Sequence, residues 1–450
     1  MFLKINKAGC IENAQIDFSG LNIITGPNES GKSTVGKTVY TVIKAIQNGN
    51  AIFERNLERS ISDTCRNVFF DIQQHIKVQE KTELQILEDF FEKGVLEIHL
   101  LSFLKNKNIA EMQKLIDSRI SSLNNFATLQ ATEKERIKKI LNDLRLKLDD
   151  VNNPEKKLKL ALILLYENIF KGQVNNSITH DMATISLGVG NEEYLRYQVS
   201  NNADKFSFED RLKINKFLPD CSNRVFQDVT FFETPLILQA PLAFANEMIV
   251  PDYWTDLLKK LNKKTLLNEE LSPYAKEISK EISEIVGGDF IFDTDKQKFS
   301  FVKNTDNSNQ NVTQLDVNNM ASGTKSFCIL QQMAKLNLFS PSHLLVFDEP
   351  ENHLHPAWQV TLAKILIKLV KNGTPILLTT HSSYFLEALR KYAQENNMWG
   401  EKVKCFFARK NPPTSPFSEI KDIQTLDEKE DIIFQSFYIA YEMLDDNTSK

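Results

Sequence analysis

The pattern of hydrophobic and polar residues divides the chain into segments of different character. Short apolar runs near the amino terminus predict strands at Leu3–Ile5, Ala14–Phe18 and Leu21–Thr25, followed by a helix over Val35–Ile46. Between residues 51 and 171, apolar residues recur at helical spacing, which predicts a group of helices with charged outer faces. The heptads are not sustained, so the pattern disfavours a long coiled-coil arm.

The second half of the chain returns to strand-like patterns. Strands are predicted at Tyr194–Val199 and within Val225–Leu238, and a hairpin at Asp289–Asp293 and Lys298–Val302. From 315 to 407 the pattern reads strand, helix, strand, helix, strand. This alternation favours an α/β fold.

Composition narrows the class of protein. The 450 residues correspond to roughly three domains, and 42% hydrophobic with 25% charged residues is ordinary for a globular protein. The 54 basic and 59 acidic residues give a net charge of −5, which excludes a globally basic nucleic-acid coat. A local basic groove is compatible with this net charge, and its candidates are the basic stretches at 134–147 and 259–264.

Several absences in the sequence bear on where the protein acts. No stretch reaches about 18 uninterrupted apolar residues, so we expect no transmembrane helix and no membrane partner. Met1–Ile5 resembles a strand more than a signal peptide, because no apolar h-region follows. The five cysteines form no CxxC pair, which disfavours a zinc ribbon or a disulfide framework. We therefore expect a reducing, cytoplasmic location.

The strongest chemical signal is a glycine-containing loop between the third strand and the first helix. Its glycines let the backbone wrap a phosphate, and the following helix directs its positive end there. Lys32 adds a charge between the terminal phosphates, and Ser33 offers a hydroxyl suited to Mg²⁺. The segment matches the pattern G-x-x-x-x-G-K-[ST] in full: Gly26, Pro27, Asn28, Glu29, Ser30, Gly31, Lys32, Ser33 and Thr34.

Two later strands end in polar residues. The apolar run from His343 ends in Asp348 and Glu349, and the run Pro375–Thr380 ends at His381. Ligands in α/β folds bind at the carboxyl ends of parallel strands. We expect Asp348 to orient Mg²⁺ or its water, Glu349 to polarise the attacking water, and His381 to contact the γ-phosphate. A helix cap formed by the two acids, or a structural histidine, is the simpler alternative.

Two further segments are ambiguous by themselves. Ser322 resembles an N-cap before a helix, and Gly323 permits close backbone approach, so this helix start suits an anion or is an ordinary capped helix. His353 and His355 form an H-x-H pair without a third ligand, which disfavours a zinc site. We expect that segment to form a turn that contacts a partner subunit.

In order, the motifs resemble those of ABC-type ATPases of the SMC-like branch, which includes the overcoming-lysogenization-defect (OLD) ATPases. Residues 26–34 resemble Walker A, 321–325 the signature, 344–349 Walker B and 350–356 the D-loop. His381 resembles the switch histidine.

The resemblance implies an ATPase that hydrolyses ATP with Mg²⁺ in a head-to-tail dimer or a higher homo-oligomer. ATP on one chain's phosphate loop would be completed by the other chain's signature residues, which here are Ser322, Gly323 and Lys325. It implies that Ser33 and Asp348 hold the metal and that Glu349 and His381 are catalytic.

Two departures from the family pattern affect the expected rate. The usual L-S-G-G-Q signature is replaced by Ala321-Ser322-Gly323-Thr324-Lys325, so slow hydrolysis is compatible with this sequence unless the Lys325 charge compensates. The Q-loop glutamine is not evident, and Gln239 is a candidate for it.

Two segments, Phe232–Leu236 and Asp348–Gln359, are similar to stand-alone ATPase subunits of anti-phage systems, namely the AriA type of PARIS, the PtuA type of Septu and the retron-linked ATPases. The residues after His381 show neither a Toprim nor an HNH pattern. The resemblance therefore implies a sensor or scaffold that holds and releases a separate toxic effector, expected to be a nuclease. The alternative is a DNA-repair-like SMC-type ATPase that clamps DNA. A transporter ATPase is disfavoured by the long insertion.

We accordingly predict an α/β fold built on an ABC-type P-loop ATPase head with inserted helical and antiparallel β lobes. The head comprises residues 1–50 and 315–410, interrupted by a helical insertion at 51–187 and a mixed strand and helix lobe at 188–314. Residues 411–450 are predicted to form a C-terminal helical segment.

Overall fold

The computed structural model describes residues 1–74, 85, 90–91, 96–126, 129–175, 181–200, 208–239, 251–263, 270–293, 298–303, 314–410 and 415–423. Its contacts divide the chain into two compact units, residues 1–47 with 162–450, and residues 48–161. The domain division derived from the sequence stays a prediction beside these units.

Fourteen strands occur in the described part of the chain. In chain order they are β1 (Phe2–Ala8), β2 (Ile11–Asp17), β3 (Leu21–Thr25), β4 (Ala183–Val189), β5 (Glu192–Val199), β6 (Leu212–Phe217), β7 (Asp228–Phe232), β8 (Gly288–Asp293), β9 (Lys298–Lys303), β10 (Gln314–Asp316), β11 (His343–Asp348), β12 (Ile376–Thr380), β13 (Val403–Lys410) and β14 (Ser418–Asp422).

Eleven of these strands form one sheet in the order β6-β5-β4-β1-β2-β14-β13-β3-β12-β11-β7. The strands from β13 to β7 in this order pair in parallel, and those from β6 to β2 pair antiparallel. Every residue of β3, β11 and β12 is buried. Continuous burial of this kind follows from helices on both faces of a parallel sheet. The predicted α/β fold is confirmed.

A small second sheet has the order β10-β9-β8. Its β8 and β9 pair antiparallel from Gly288 opposite Lys303 to Asp293 opposite Lys298, which confirms the predicted hairpin. The strand β14 is a correction to the segment 411–450, which we predict to be helical. Its residues pair with β13 and β2, so this described part of the segment is a strand. The amphipathic run at 432–440, which favours a helix there, lies outside the described residues.

Helices make up most of the remaining chain. They are α1 (Lys32–Gln73), α2 (Leu96–Lys105), α3 (Ile109–Ser122), α4 (Ala131–Asp149), α5 (Pro154–Phe170), α6 (Phe208–Arg211), α7 (Asp252–Leu261), α8 (Pro273–Val286), α9 (Ser322–Lys335), α10 (Pro356–Lys371) and α11 (Ser383–Glu395). None of the helices in the described ranges is both long and apolar enough to cross a membrane.

The unit formed by residues 48–161 is helical, as the apolar spacing predicts. Ile61, Met112, Ile116 and Leu141 belong to its core and are almost completely buried. Arg145 of α4 pairs with Asp117 of α3 at 2.7 Å. The helices therefore bury one apolar face each and leave their charges outside.

Candidate active site

The predicted motifs meet at the carboxyl edge of the parallel strands. The phosphate loop follows β3, and His381 follows β12. Asp348 ends β11, where it lies opposite Thr379 of β12. Because these strands are neighbours and run in the same direction, residues separated by more than 300 positions are brought together.

Two glycines give the phosphate loop its shape. Gly31 has φ +86°, and a Cβ there would lie 2.7 Å from Ile11 Cγ1. Gly26 has φ +146°, and a Cβ there would lie 2.6 Å from the Ala408 carbonyl oxygen. Both positions lack room for a side chain and have a backbone conformation that glycine favours. The loop therefore passes close to its neighbours and leaves its outer side open.

Lys32 is buried at the first position of α1. Its Nζ donates to the carbonyl oxygens of Gly26 at 3.0 Å and Pro27 at 2.9 Å. Ser30 Oγ also donates to the Pro27 carbonyl, at 2.8 Å. Burial lowers the pKa of the Lys32 ammonium below its ordinary value, while the charge of Glu349 acts in the opposite direction. The lysine thus closes the loop and faces the acids.

Asp348 is a buried carboxyl with fixed neighbours. Its Oδ1 accepts from Thr379 Oγ1 at 2.5 Å, and the Ser33 side chain forms a second hydrogen bond to it. Burial raises the Asp348 pKa, and these two hydrogen bonds oppose that rise. The hydroxyl of Ser33 and the carboxylate of Asp348, both predicted as metal ligands, are therefore adjacent.

Glu349 and His381 are also brought together. The Nδ1 of His381 lies 3.1 Å from Glu349 Oε1, and Asn352 Nδ2 donates to Glu349 Oε2 at 3.1 Å. The Glu349 backbone has φ +51°, and its N–H donates to the Thr379 carbonyl at 3.1 Å. A non-glycine residue in this left-handed region is uncommon and is held there by its surroundings.

The phosphate loop and Glu349 line a cavity of about 990 Å³. Residues 28–34 contribute to its lining together with Cys10, Arg211 and Lys410. The open loop backbone and Lys32 suit the phosphates of ATP. The oxygen donors Ser33 and Asp348 suit Mg²⁺. The residues therefore fit both predicted cofactors.

The signature residues stand elsewhere. Ser322, Gly323 and Lys325 are not among the residues that line this cavity. A Cβ on Gly323 would lie 3.1 Å from Leu354 Cδ2 and 3.4 Å from the His353 carbonyl oxygen. The start of α9 therefore packs against the turn that follows Glu349.

One prediction about this helix start is wrong. The N-cap of α9 is Ala321, with extended backbone and no side-chain cap, and Ser322 is the first helical residue. The Ala321 carbonyl accepts from the Lys325 N–H at 3.1 Å, which places the helix boundary there. The Lys325 side chain is buried, and burial lowers its pKa.

Sequence reasoning overlooked two acids. Glu351 is buried beside His381, and its Oε1 accepts from Thr380 Oγ1 at 2.5 Å. The sequence segment offered no signal for it beyond its place in the D-loop resemblance. Glu233 follows β7, whose last residue, Phe232, lies opposite Phe347, the residue before Asp348 in β11. Its Oε2 accepts from Tyr253 at 3.0 Å. The position of Glu233 directly after an apolar strand is a signal that the sequence contains. Gln239, the candidate for the Q-loop glutamine, lies at the end of a separate 3₁₀ turn, Pro235–Gln239.

The basic stretch at 259–264 is partly internal. Lys260 is buried, and its Nζ lies 2.8 Å from Asp228 and 3.0 Å from Asp256. Lys44 pairs with the same two acids at 2.6 and 2.8 Å. The other stretch, 134–147, includes Arg145, which is ion-paired as described above. His355 caps α10, its Nδ1 accepting from the Ala357 N–H at 3.3 Å.

Comparison with known proteins gives one family match. A family profile described as "AAA ATPase domain" (AAA_15) matches residues 1–386. No curated protein matches the chain.

Solved structures of SMC heads show a weaker similarity. The SMC head domain from Thermotoga maritima has a TM-score of 0.37 and 11% identity, covering 94% of this chain and 98% of that chain. A Smc head domain with an extended coiled coil from Pyrococcus furiosus, bound to the C-terminal domain of ScpA, has a TM-score of 0.32 and 12% identity, covering 98% of each. Because these TM-scores and identities are low, the assignment of the chain to a family rests on the match to the AAA ATPase domain profile.

Proposed function

The chain belongs to the AAA ATPase domain family, and from that premise we propose that it is an SMC-like, ABC-type ATPase whose ATP sites are shared between two identical subunits. The membership confirms the prediction of an ATPase. The supporting observation is the separation of motifs within one chain. The phosphate loop and Glu349 line one cavity, whereas Ser322 and Gly323 lie outside its lining. A second copy would supply the missing helix start.

In this proposal the chain's own residues bind and orient the nucleotide. The loop N–H groups and the Lys32 ammonium bind the phosphates, while Ser33 and Asp348 hold Mg²⁺. The metal, when bound, neutralises charge on the phosphates. The helix start at Ser322 of a second copy directs its positive end at the γ-phosphate.

Glu349 and His381 are the residues that act on the reaction. The Glu349 carboxylate, fixed by Asn352 and His381, accepts a proton from the attacking water. His381 directs Nδ1 towards Glu349, which leaves Nε2 for a hydrogen bond to the transferring phosphate.

Complementation between two inactive variants tests the shared site. Lys32→Ala disables the phosphate loop and Ser322→Arg disables the helix start. In a head-to-tail pair, the mixed dimer has one site with both defects and one with neither. We expect each variant alone to be inactive and their mixture to regain up to roughly a quarter of wild-type hydrolysis.

The matched control mixes Lys32→Ala with the double variant Lys32→Ala/Ser322→Arg, since no pairing in that mixture creates an intact site. Absence of any regain at all mixing ratios, when the two variants still associate with each other in the presence of ATP, would contradict a site shared between chains.

We further propose that the ATP state of this protein controls the holding and release of a separate toxic effector in anti-phage defence. The support is the similarity of Phe232–Leu236 and Asp348–Gln359 to the ATPase subunits of such systems. In the proposed dimer, both chains contact ATP only when the dimer is closed. ATP binding therefore shifts the equilibrium between open and closed dimers towards the closed form. Co-purification with the product of the neighbouring gene, before and after phage infection, tests this. A permease as that neighbour would contradict it.

The rival function is a DNA clamp of the SMC type. Exposed lysines and arginines within 134–147 favour it, while the burial of Lys260 removes one charge from the second basic stretch. DNA affinity that falls steeply with salt would support the clamp, because each neutralised phosphate releases counterions.

A further inference from the structure

Glu351 is a buried acid two residues after Glu349, the first member of the proposed hydrolytic pair. It is 3% exposed. Its Oε1 accepts two hydrogen bonds, from Thr380 Oγ1 at 2.5 Å and from the His381 backbone N–H at 3.3 Å. Both donors belong to the end of β12, where the chain turns towards α11. One carboxylate oxygen thus holds the backbone from which the His381 imidazole projects.

The other oxygen, Oε2, has no hydrogen-bond partner among the described residues although it is buried. Burial also raises the pKa of this carboxyl above its ordinary value. A buried acid with one unpaired oxygen costs stability compared with an apolar residue. An acid at this position therefore carries a stability cost, and its visible contribution is the pair of hydrogen bonds that Oε1 accepts.

The neighbours of Glu351 connect it to the reacting groups. The His381 ring lies 3.1 Å from Glu349 Oε1, and the Glu349 carbonyl accepts from the Asn352 N–H at 3.1 Å. The Glu351 carbonyl accepts from the Leu354 N–H at 2.9 Å. The short turn after β11 therefore carries Glu349 at its start, and its Glu351 side chain fixes the strand end that carries His381.

We propose that Glu351 is a positioning residue of the hydrolytic site, which acts through its Oε1 to hold the Thr380–His381 backbone so that the His381 ring stays beside Glu349. This inference rests on the proposed function. The hydrogen bonds made by Glu351 go to the side chain and backbone of the strand end, so its effect on the reaction runs through His381.

A set of variants at this contact tests the proposal. Glu351→Ala removes the acceptor and should lower the hydrolysis rate tenfold or more at unchanged ATP affinity, because small displacements of reacting groups cost much of the rate. Glu351→Gln keeps an acceptor oxygen for Thr380 and His381 and places its amide where Oε2 has no partner. It should retain hydrolysis within about threefold. Thr380→Val should weaken hydrolysis in the same direction as Glu351→Ala.

Coupling to His381 separates positioning from a general loss of structure. In a double-variant cycle, Glu351→Ala should cost nothing further once His381→Ala is present. Glu387→Ala, an exposed acid on α11, is the matched control and should leave the rate unchanged. Thermal unfolding and ATP binding of each variant exclude a folding defect.

A readout that needs no turnover is the imidazole Cε1–Hε1 signal of His381, assigned by its loss in His381→Ala. It should shift in Glu351→Ala and Thr380→Val and stay near its wild-type position in Glu351→Gln. Additive losses in the double variant, an unmoved signal in Glu351→Ala, or a Glu351→Gln variant as inactive as the alanine would each overturn the proposal.

The outcomes also distinguish this inference from the proposed function. If His381→Ala hydrolyses ATP normally, the role proposed for His381 fails, and the positioning role fails with it. If His381→Ala is impaired while Glu351→Ala is fully active, only the positioning role fails.

Discussion

Lys32 is a residue on which burial and charge act in opposite directions. Its ammonium is buried, which disfavours the charged form, yet it faces Glu349 and two further carboxyls. Lys32→Ala should abolish measurable ATP binding, because a charge-assisted contact to phosphate is worth about 1.5–3 kcal/mol and the loop loses two carbonyl partners as well. Titration with a fluorescent ATP analogue measures this. The exposed Lys391→Ala is the control, and near-normal binding by Lys32→Ala would contradict the site.

His343 provides a pH dependence that is independent of the nucleotide. Its pKa is lowered to about 4, first by burial and then by the charge of Lys260. Thr230 Oγ1 accepts from Lys260 Nζ at 2.8 Å and pairs with His343 Nε2 at 2.8 Å, which suits a neutral ring. The other charged groups around this ring are Lys44, Asp228 and Asp256.

Because the unfolded chain protonates His343 near pH 6.5 and the folded chain only near 4, the free energy of unfolding should fall as the pH drops between these values. The contribution is about 3 kcal/mol at most. Denaturant unfolding from pH 7 to 4 should show a flatter slope for His343→Gln than for wild type. His353→Gln, at an exposed position, should keep the wild-type slope, and equal slopes for wild type and His343→Gln would refute the assignment.

At the residue scale, the sequence predicted those site residues that can be identified from their immediate neighbours in the chain. Lys32 and Ser33 follow from the spacing of one loop, and Asp348 and Glu349 from the end of one apolar run. The ends of two apolar runs place Glu349 and His381 at one edge of the sheet, but the 3.1 Å contact between them depends on the order of the strands. Glu351 could not be found, because its partners lie on another strand and its burial depends on tertiary packing.

At the scale of elements, the start of α9 is a helix end without a side-chain cap. Ala321 occupies the N-cap position, so the first N–H groups of the helix are left for another partner. Ala321→Ser should stabilise the protein by about 0.5–2 kcal/mol, and Ala321→Asp by a similar amount. In the shared site, however, the aspartate would repel phosphate, so Ala321→Asp should hydrolyse ATP more slowly than Ala321→Ser. If Ala321→Asp hydrolyses ATP faster than Ala321→Ser, the proposal that the start of α9 points at a phosphate is contradicted.

The phosphate loop depends on close packing as well as on backbone conformation, and two glycines separate these effects. Gly31 has φ +86° and no room for a Cβ, whereas Gly190 has φ +60° and nothing within 4 Å. Gly190→Ala should cost about 1 kcal/mol from the backbone alone. Gly31→Ala should cost about 1–3 kcal/mol more, because Ile11 must move. Equal losses in denaturant unfolding would show that the loop is not tightly packed.

Element type was predictable where one period dominates. The continuously apolar β11 and β12, and the helical spacing of α3 and α4, appear as the patterns indicate. The boundary at Ala321 was missed because Ser322 has the better capping side chain, while backbone hydrogen bonding decides where the helix begins. The strand β14 was missed because one of its two partners, β2, lies far away in sequence.

At the scale of the whole molecule, the proposed shared site would make ATP a ligand of the dimer. Glu349→Gln keeps the size and the hydrogen bond to Asn352 but cannot take a proton from water, so ATP should accumulate unhydrolysed. With ATP and Mg²⁺, light scattering after size exclusion should give twice the mass of one chain for this variant. Lys32→Ala/Glu349→Gln should give the mass found without ATP. A monomer under all conditions would refute the ATP-dependent dimer, and normal hydrolysis by Glu349→Gln would refute the role of Glu349.

The arrangement of the whole sheet lay beyond sequence reasoning. Local patterns indicate strands but not their neighbours, and β2 pairs with β14 across some 400 residues. The sheet order also places β4, β5 and β6 beside β1, so strands that follow the helical unit extend the same sheet. Such long-range pairing is decided by the burial of whole faces, which no single segment records.

The close packing of Gly323 against the turn at His353 and Leu354 has a consequence for timing. In the proposed dimer, Gly323 faces the nucleotide bound by the partner chain. The turn at His353 and Leu354 follows Glu349, which acts on the nucleotide bound by its own chain. A methyl carbon added to Gly323 would lie only 3.1 Å from Leu354 Cδ2, so the start of α9 and this turn are closely packed. A movement of one should therefore displace the other. Nucleotide bound at one site would then alter the geometry of the other, so the two sites of a dimer should not behave independently.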